Sequence, residues 1–467
     1  MLLLTDPEYL KAVWYLDERS IPDFKYIPAS ITHEKFVNIS KSIEEGKFRF
    51  SSQGLHQRNN PRRVIDDQIV FKALGFLLQQ AIGAHCHSYN LPDTYGWYKK
   101  GDCHEALRQV RLRGKDVPWF IKGTLGSNDP TYIMNRKALE STLKRYIDDT
   151  VFLSFIFQGL KGIRKEQTLS DVEHFFSQTL AQVYWSPVDE WFHTIIIPSL
   201  HEGAHRTRNP AYTKMLRVNK RVTDHSIRPT LTQGYKRCYY TRYHNVFLLG
   251  VIASKRDCSI FVEKFKQMII STYGKAALLH ANAEIFDGYK TKTPFLRYFI
   301  HTTRLRRMKI AYDSKRRLTR RVPRTMLTAP LSHIIQELAN QGCGTPTGTP
   351  VRNTRLVHLQ EDQIVLYFKS LEKRTLEYYA LGANSTRVAA RVHYICKYSC
   401  ALTIASKMKL RTLRKVFKKY GKDLRIKNPL NDTFVSYPSS FRKSTRKEFE
   451  SKVKRSGRRF HNMEHNT

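Results

Sequence analysis

Residues 238–255 read CYYTRYHNVFLLGVIASK. A β-prone run, 238–243, meets an apolar run, 247–253, across the polar pair His244 and Asn245. This pattern predicts a strand, a tight turn and a second strand. The four residues at the tip are Tyr243, His244, Asn245 and Val246, and none is a carboxylate. An amide is a poor ligand for a hard divalent cation, and an isopropyl group is no ligand at all.

Around that hairpin the chain has 467 residues, 41% hydrophobic and 12% aromatic, the composition of a folded protein and not of a wholly disordered basic one. The length suffices for about two to four domains. A net charge of +40, from 80 Lys and Arg against 40 Asp and Glu, would strain a compact fold by self-repulsion unless a polyanion neutralised it. Nucleic acid is the implied partner. No apolar run is long enough to cross a bilayer, and Asp6 interrupts the opening MLLL. The first fifty residues carry Asp6, Glu8, Asp17, Glu18, Asp23, Glu34, Glu44 and Glu45, unlike an Arg-rich, acid-poor transit peptide. A protein of an organelle with this sequence is expected to be made there.

Seven cysteines, at 86, 103, 238, 258, 343, 396 and 400, form no Cys-x-x-Cys pair and are expected as reduced core thiols. His85, Cys86 and His87, with Cys103 and His104, lack ordinary zinc spacing, and no metal site is expected. Residues 66–82 place Ile69, Leu74, Leu77, Leu78 and Ile82 on one broad apolar stripe of a helix. Residues 117–125, VPWFIKGTL, predict a short buried strand, and residues 135–163 a helical stretch. Ten Lys or Arg against one acid, Asp313, fill 304–324, and ten against Asp423 fill 407–427. Such densities exceed an ordinary solvated helix face and suit a phosphate backbone.

The hairpin resembles the palm hairpin of reverse transcriptases encoded by group II introns, whose tip is Tyr-Ala-Asp-Asp. In that family the strand matching 117–125 ends in the first catalytic aspartate, within Trp-Phe-x-x-Gly-Asp-Ile; here Thr124 stands there. The resemblance therefore implies that all three metal-binding carboxylates are replaced, at Thr124, Asn245 and Val246. Asp129, five residues on, is not expected to restore them. Residues 60–64 shorten the family's Arg-Pro-Leu-Gly-Ile-Pro segment, and Leu180, Ala181 and Gln182 replace the Pro-Gln-Gly of its Thr-Pro-Gln-Gly motif. Both departures argue against nucleic-acid synthesis.

Residues 330–424 resemble domain X of group II intron maturases throughout. The pattern residues are Tyr378, Tyr379, Asn384, Tyr394, Ile395, Ser399, Thr403, Ala405, Lys407, Val416, Phe417, Tyr420 and Gly421. Bottom-up, Ile364, Phe368, Leu371, Thr375 and Tyr378 recur at helical spacing and belong to a core. The resemblance, spanning residues 43–425, implies an α+β protein with right-hand polymerase-like fingers and palm, then an α-helical thumb and a helical domain X. The expected divisions are 1–65 (N-terminal segment and start of fingers), 66–300 (degenerate fingers and palm), 301–329 (basic thumb and linker), 330–427 (domain X) and 428–467 (basic tail).

The expected function is an RNA-binding intron maturase that assists folding and splicing of group II intron RNA without reverse transcription. The alternative is the same scaffold recruited as a structural RNA-binding protein, with ribosomal RNA and ribosomal proteins as partners; an active reverse transcriptase ranks last. No residue is expected to be catalytic, and no small-molecule substrate or membrane partner is expected. The protein would bind no cofactor, Mg²⁺ arriving with the RNA. The expected RNA contacts are Arg304, Arg306, Arg307, Lys309, Lys315, Arg316, Arg317, Lys397, Ser399, Thr403, Lys407, Lys409, Arg411, Arg414, Lys415, Lys418 and Lys419. The expected compartment is the mitochondrion, with the plastid as alternative.

Overall fold

In the computed structural model the described residues are 3–15, 32–50, 61–88, 93–95, 103–126, 135–163, 171–204, 207, 209–219, 234–303, 310–312, 318–320, 323–427 and 433–438. The fold is mixed α+β and divides into two compact units: residues 1–293 with 302–325, and residues 294–301 with 326–467.

The first unit is built on a five-stranded sheet of β1 (Thr94–Tyr95), β2 (Trp119–Leu125), β3 (Arg237–Tyr243), β4 (Val246–Ile252) and β5 (Ala281–Asp287). Their spatial order is β1-β3-β4-β2-β5. The β3–β4 hairpin pairs Tyr243 with Val246, which leaves His244 and Asn245 as the two-residue loop that the sequence predicts. His244 takes the left-handed backbone, φ +50°, the twist sense that tight hairpin loops require. β2 lies antiparallel to both β4 and β5, with Thr124 facing Val246 on one side and Asn282 on the other. Gly123 is obligatory here: a Cβ on it would collide with the Phe247 ring and lie 2.6 Å from the Asn282 carbonyl.

Helix Lys255–Tyr273 follows β4 directly. A capping box starts it, Ser254 accepting from the Asp257 amide while Asp257 accepts from the Ser254 amide. It buries Phe261 and Phe265 against Phe192 and Phe247 with ring centroids 5.3–5.7 Å apart. The apolar stripe expected at 66–82 lies on helix Pro61–Ser88, which buries Ile69, Leu74 and Leu78, with Leu77 half-buried and Ile82 outside the described side chains. The helical stretch expected at 135–163 resolves into Arg136–Leu143 and Thr150–Gly162, capped by Asn135 and Asp149.

One expectation fails in this unit. The basic stretch read as a helical thumb contains, where described, two strands, Ile310–Tyr312 and Leu318–Arg320, paired antiparallel. High Lys and Arg density signals a polyanion partner but carries no helical period, and Ile310, Tyr312 and Thr319 are β-prone residues.

The second unit is organised by helices Leu331–Asn340, Glu361–Tyr378, Ser385–Lys407 and Leu413–Tyr420. The two long helices pack on each other, one burying Ile364, Phe368 and Leu371 and the other Val388, Val392, Ile395 and Ile404. Several of the pattern residues, Tyr378 and Asn384 among them, hold this unit together. Tyr378 donates to the Leu296 carbonyl, and Tyr298 donates to the Tyr378 carbonyl. The Asn384 amide brackets both polar backbone atoms of Ala329, each at 2.9 Å.

Strands Ile426–Lys427 and Phe434–Val435 pair antiparallel, so the expected boundary at 427 cuts through a hairpin. Tyr437 beyond it is fully buried and donates to Glu372, whose other oxygen lies 3.0 Å from His393 Nδ1. Polar composition around 428–433 concealed that single buried aromatic from the sequence reading.

Candidate nucleic-acid interface and hairpin site

The strand register brings Thr124, Asn245 and Val246 together. Thr124 and Val246 are cross-strand partners, and the Leu125 amide donates to the Asn245 carbonyl at 2.6 Å. The Thr124 hydroxyl donates to Asn282 Oδ1 at 2.8 Å. The side chains gathered here are a hydroxyl, two amides and an isopropyl group. This donor set does not suit Mg²⁺, which demands anionic oxygen.

Behind the loop lies a network that the sequence reading missed. Arg242 and Asp189, each only 1% exposed, form a bidentate ion pair: Nε to Oδ1 at 2.8 Å and Nη2 to Oδ2 at 2.5 Å. Tyr240 donates to the same carboxylate at 2.6 Å. Nη1 of Arg242 donates to the His244 carbonyl at 2.6 Å and to Gln182 Oε1 at 2.7 Å. Gln182 then has only its Nε2 left for His244 Nδ1, 2.9 Å away, so the imidazole accepts and is neutral. Burial, with Arg242 adding to it, pushes the His244 pKa down to about 4. Burial also pushes the Tyr240 phenol far up, so it stays a donor.

Gln182 thus holds the turn from behind through contacts a glycine could not make. A signal for the network was present in the sequence. Cys238, Tyr240 and Arg242 alternate on one face of the strand, and a charge on a core face requires a buried counter-ion.

The expected RNA-contacting residues separate into three groups. Arg304, Arg306, Arg307, Lys309, Lys315, Arg316 and Arg317 lie outside the described residues. Lys397, Ser399 and Thr403 are interior, which corrects the expectation that they face a ligand. Ser399 donates to the Val351 carbonyl at 2.6 Å, and Thr403 accepts from the Asn353 amide at 3.0 Å, so both fasten the loop ahead of helix Glu361–Tyr378. Lys397 lies over the Phe417 ring, 5.9 Å from its centroid, and burial lowers its pKa. Helical periodicity alone does not say which face of Ser385–Lys407 is inward, because polar and apolar residues are spread around it.

Lys409, Arg411, Arg414, Lys415, Lys418 and Lys419 are exposed, while Lys407 is half-buried with Nζ 3.4 Å from the Val357 carbonyl. They do not lie on one continuous helix. Helix Ser385–Lys407 ends in a turn where Lys409 and Arg411 both adopt left-handed backbone, φ +52° and +57°. Thr412 caps the next helix, Leu413–Tyr420, which buries Val416 and presents its basic residues outward. Among the described residues no carboxylate forms an ion pair with any of the six exposed cations. Residues 378–422 contain eleven Lys or Arg and no Asp or Glu.

That surface falls within the region matched by the type II intron maturase family model, residues 322–458. The chain carries a type II intron maturase domain. Relatives extend the likeness well beyond that domain. A Saccharomyces cerevisiae protein named for COX1/OXI3 intron 1 is 28% identical over 434 residues, 86% of this chain and 49% of that one. The uncharacterized mitochondrial protein ymf11 of Marchantia polymorpha is 30% identical over 394 residues, 72% of this chain and 53% of that one. The group II intron-encoded protein LtrA of Lactococcus lactis is 23% identical over 355 residues, 68% and 57% respectively. The chain spans about half the length of the curated relatives it matches. The basic surface therefore belongs to a maturase domain in a chain similar to group II intron-encoded proteins.

Proposed function

We propose that the protein is an RNA-binding maturase that holds a group II intron in its spliceable fold and leaves the chemistry to the RNA and its Mg²⁺. The observation that carries this reading is the coincidence of the maturase-domain match with a surface of exposed Lys and Arg that, among the described residues, form no ion pair. Such a surface binds phosphates through counterion release and gains little from any partner without dense negative charge. The five-stranded sheet with its central two-residue hairpin supports reading the first unit as a polymerase palm. Thr124, Asn245 and Val246 clustered at its tip support a palm that does not polymerise. A mitochondrial place of action rests on the relative named a mitochondrial protein.

The test is crosslinking the protein in its native compartment and sequencing the RNA attached. Reads should concentrate within group II introns and fall when Arg411, Arg414, Lys415 and Lys418 are replaced together by Ala. Reads concentrated on ribosomal RNA would instead identify a ribosomal component. Primer extension with Mg²⁺ or Mn²⁺ should stay at background. Extension that Asp129→Ala abolishes would overturn the non-polymerising palm.

A further inference from the structure

The maturase domain also exposes a large aromatic side chain on helix Ser385–Lys407, the helix that precedes the turn carrying Lys409 and Arg411. Tyr394 is 41% exposed, whereas the other large residues around it on helix Ser385–Lys407, Val392 and Ile395, are buried. Arg391 lies over its ring, 5.4 Å from the centroid, and the Tyr398 ring sits 5.0 Å away at 50°. Tyr398 in turn meets Phe417 of the next helix edge-on at 6.0 Å. The far end of Arg391 is also fixed. Its Nη2 donates to the Thr347 carbonyl at 3.1 Å, and the guanidinium passes so close to Gly348 that a Cβ there would lie 2.6 Å from it. Gly348 at φ +85° has both the backbone and the missing side chain that this approach needs.

An arginine and a tyrosine are thus held together in cation–π contact at the surface, on a helix with no carboxylate, with Arg387 exposed one turn earlier. Phosphate binding alone uses neither the ring nor the orientation. Unpaired RNA bases are taken up by stacking on aromatic rings and guanidinium planes, with nearby cations holding the backbone.

We propose that Tyr394, positioned by Arg391, is a stacking site for a single unpaired base of structured RNA. This deepens the RNA-binding reading and rests on it. The base is the occupant because the site pairs a π face with positive charge, and its helix offers no carboxylate to a cationic or peptide partner. Arg391 serves as a positioning residue, and Gly348 makes its placement possible.

The experiment uses the full chain and two RNA hairpins of equal length, one carrying a single bulged 2-aminopurine and one fully paired. Binding should quench the bulged fluorophore and favour the bulged hairpin. Tyr394→Ala should abolish the quenching and weaken the bulged complex by about 5- to 150-fold, towards the paired one, without altering the salt slope. Tyr394→Phe should retain both, and Gly348→Val should act like the Ala variant by displacing Arg391. Arg414→Ala should weaken both complexes alike and lower the salt slope by about 0.7–0.9. If Tyr394→Ala weakens both complexes equally, or neither, while binding stays salt-dependent, the stacking site is wrong and the RNA-binding reading survives. If neither hairpin binds with a salt-dependent affinity, the RNA-binding reading fails and the stacking site with it.

Discussion

The hairpin of the first unit and the turn between the last two helices of the second both place arginine beside left-handed backbone, and they use it oppositely. At the hairpin, Arg242 is interior and fully committed to Asp189, Gln182 and the His244 carbonyl. At the turn, Lys409 and Arg411 are exposed, and among the described residues no carboxylate pairs with them. A buried cation must find its counter-ion within the chain, because desolvation without one costs several kcal/mol. A surface cation has water to solvate it and can leave neutralisation to a partner. The first arrangement fixes a shape, and the second leaves charge available for binding.

Removing the internal counter-ion should break this contrast most strongly. Asp189→Ala strands a buried guanidinium and should lower unfolding free energy by about 3–5 kcal/mol in urea titration. A loss below about 1 kcal/mol would mean that Arg242 reaches solvent and the two regions do not differ. Acid is the next probe. The His244 pKa is about 4 in the folded protein and returns to its ordinary value on unfolding, so the unfolded chain binds the extra proton first as pH falls. Its contribution is complete above about pH 6.5 and lost towards pH 4, up to about 3 kcal/mol. His244→Asn, which tolerates the left-handed backbone, should flatten that part of the stability–pH curve; an unchanged curve would place the sensitivity elsewhere.

A smaller effect should mark the second unit's interior. Tyr437→Phe removes the phenol that donates to the buried Glu372 carboxylate and should cost about 1.5–3 kcal/mol, measured by thermal melting with calorimetry. No shift would return residues 433–438 to the status of a tail. The smallest change in stability belongs to the exposed cations. Arg411, Arg414, Lys415 and Lys418, each replaced by Ala, should stay within about 0.5 kcal/mol of the parent. Each should also remove about 0.7–0.9 from the slope of log affinity against log salt. Loss of stability with an unchanged slope would assign them a structural role instead.

Local pattern was enough to find the β3–β4 hairpin, the 117–125 strand, the long core helices and the motif residues of the maturase domain. Each depends on neighbours in the chain: alternation, helical spacing and a two-residue turn are all visible within about ten positions. It was equally enough to see that the tip lacks carboxylates and that the chain carries a large excess of positive charge, because ligand type and net charge are properties of composition. What it could not rank was inside against outside for polar residues. Ser399 and Thr403 carry the same motif as Tyr394, yet two are buried on backbone partners about fifty residues away and one is exposed. The Arg242–Asp189 pair and the Tyr437–Glu372 bond span 53 and 65 residues. Only packing brings such partners within hydrogen-bonding distance, and so only the tertiary structure decides which charges are spent on the fold and which stay at the surface.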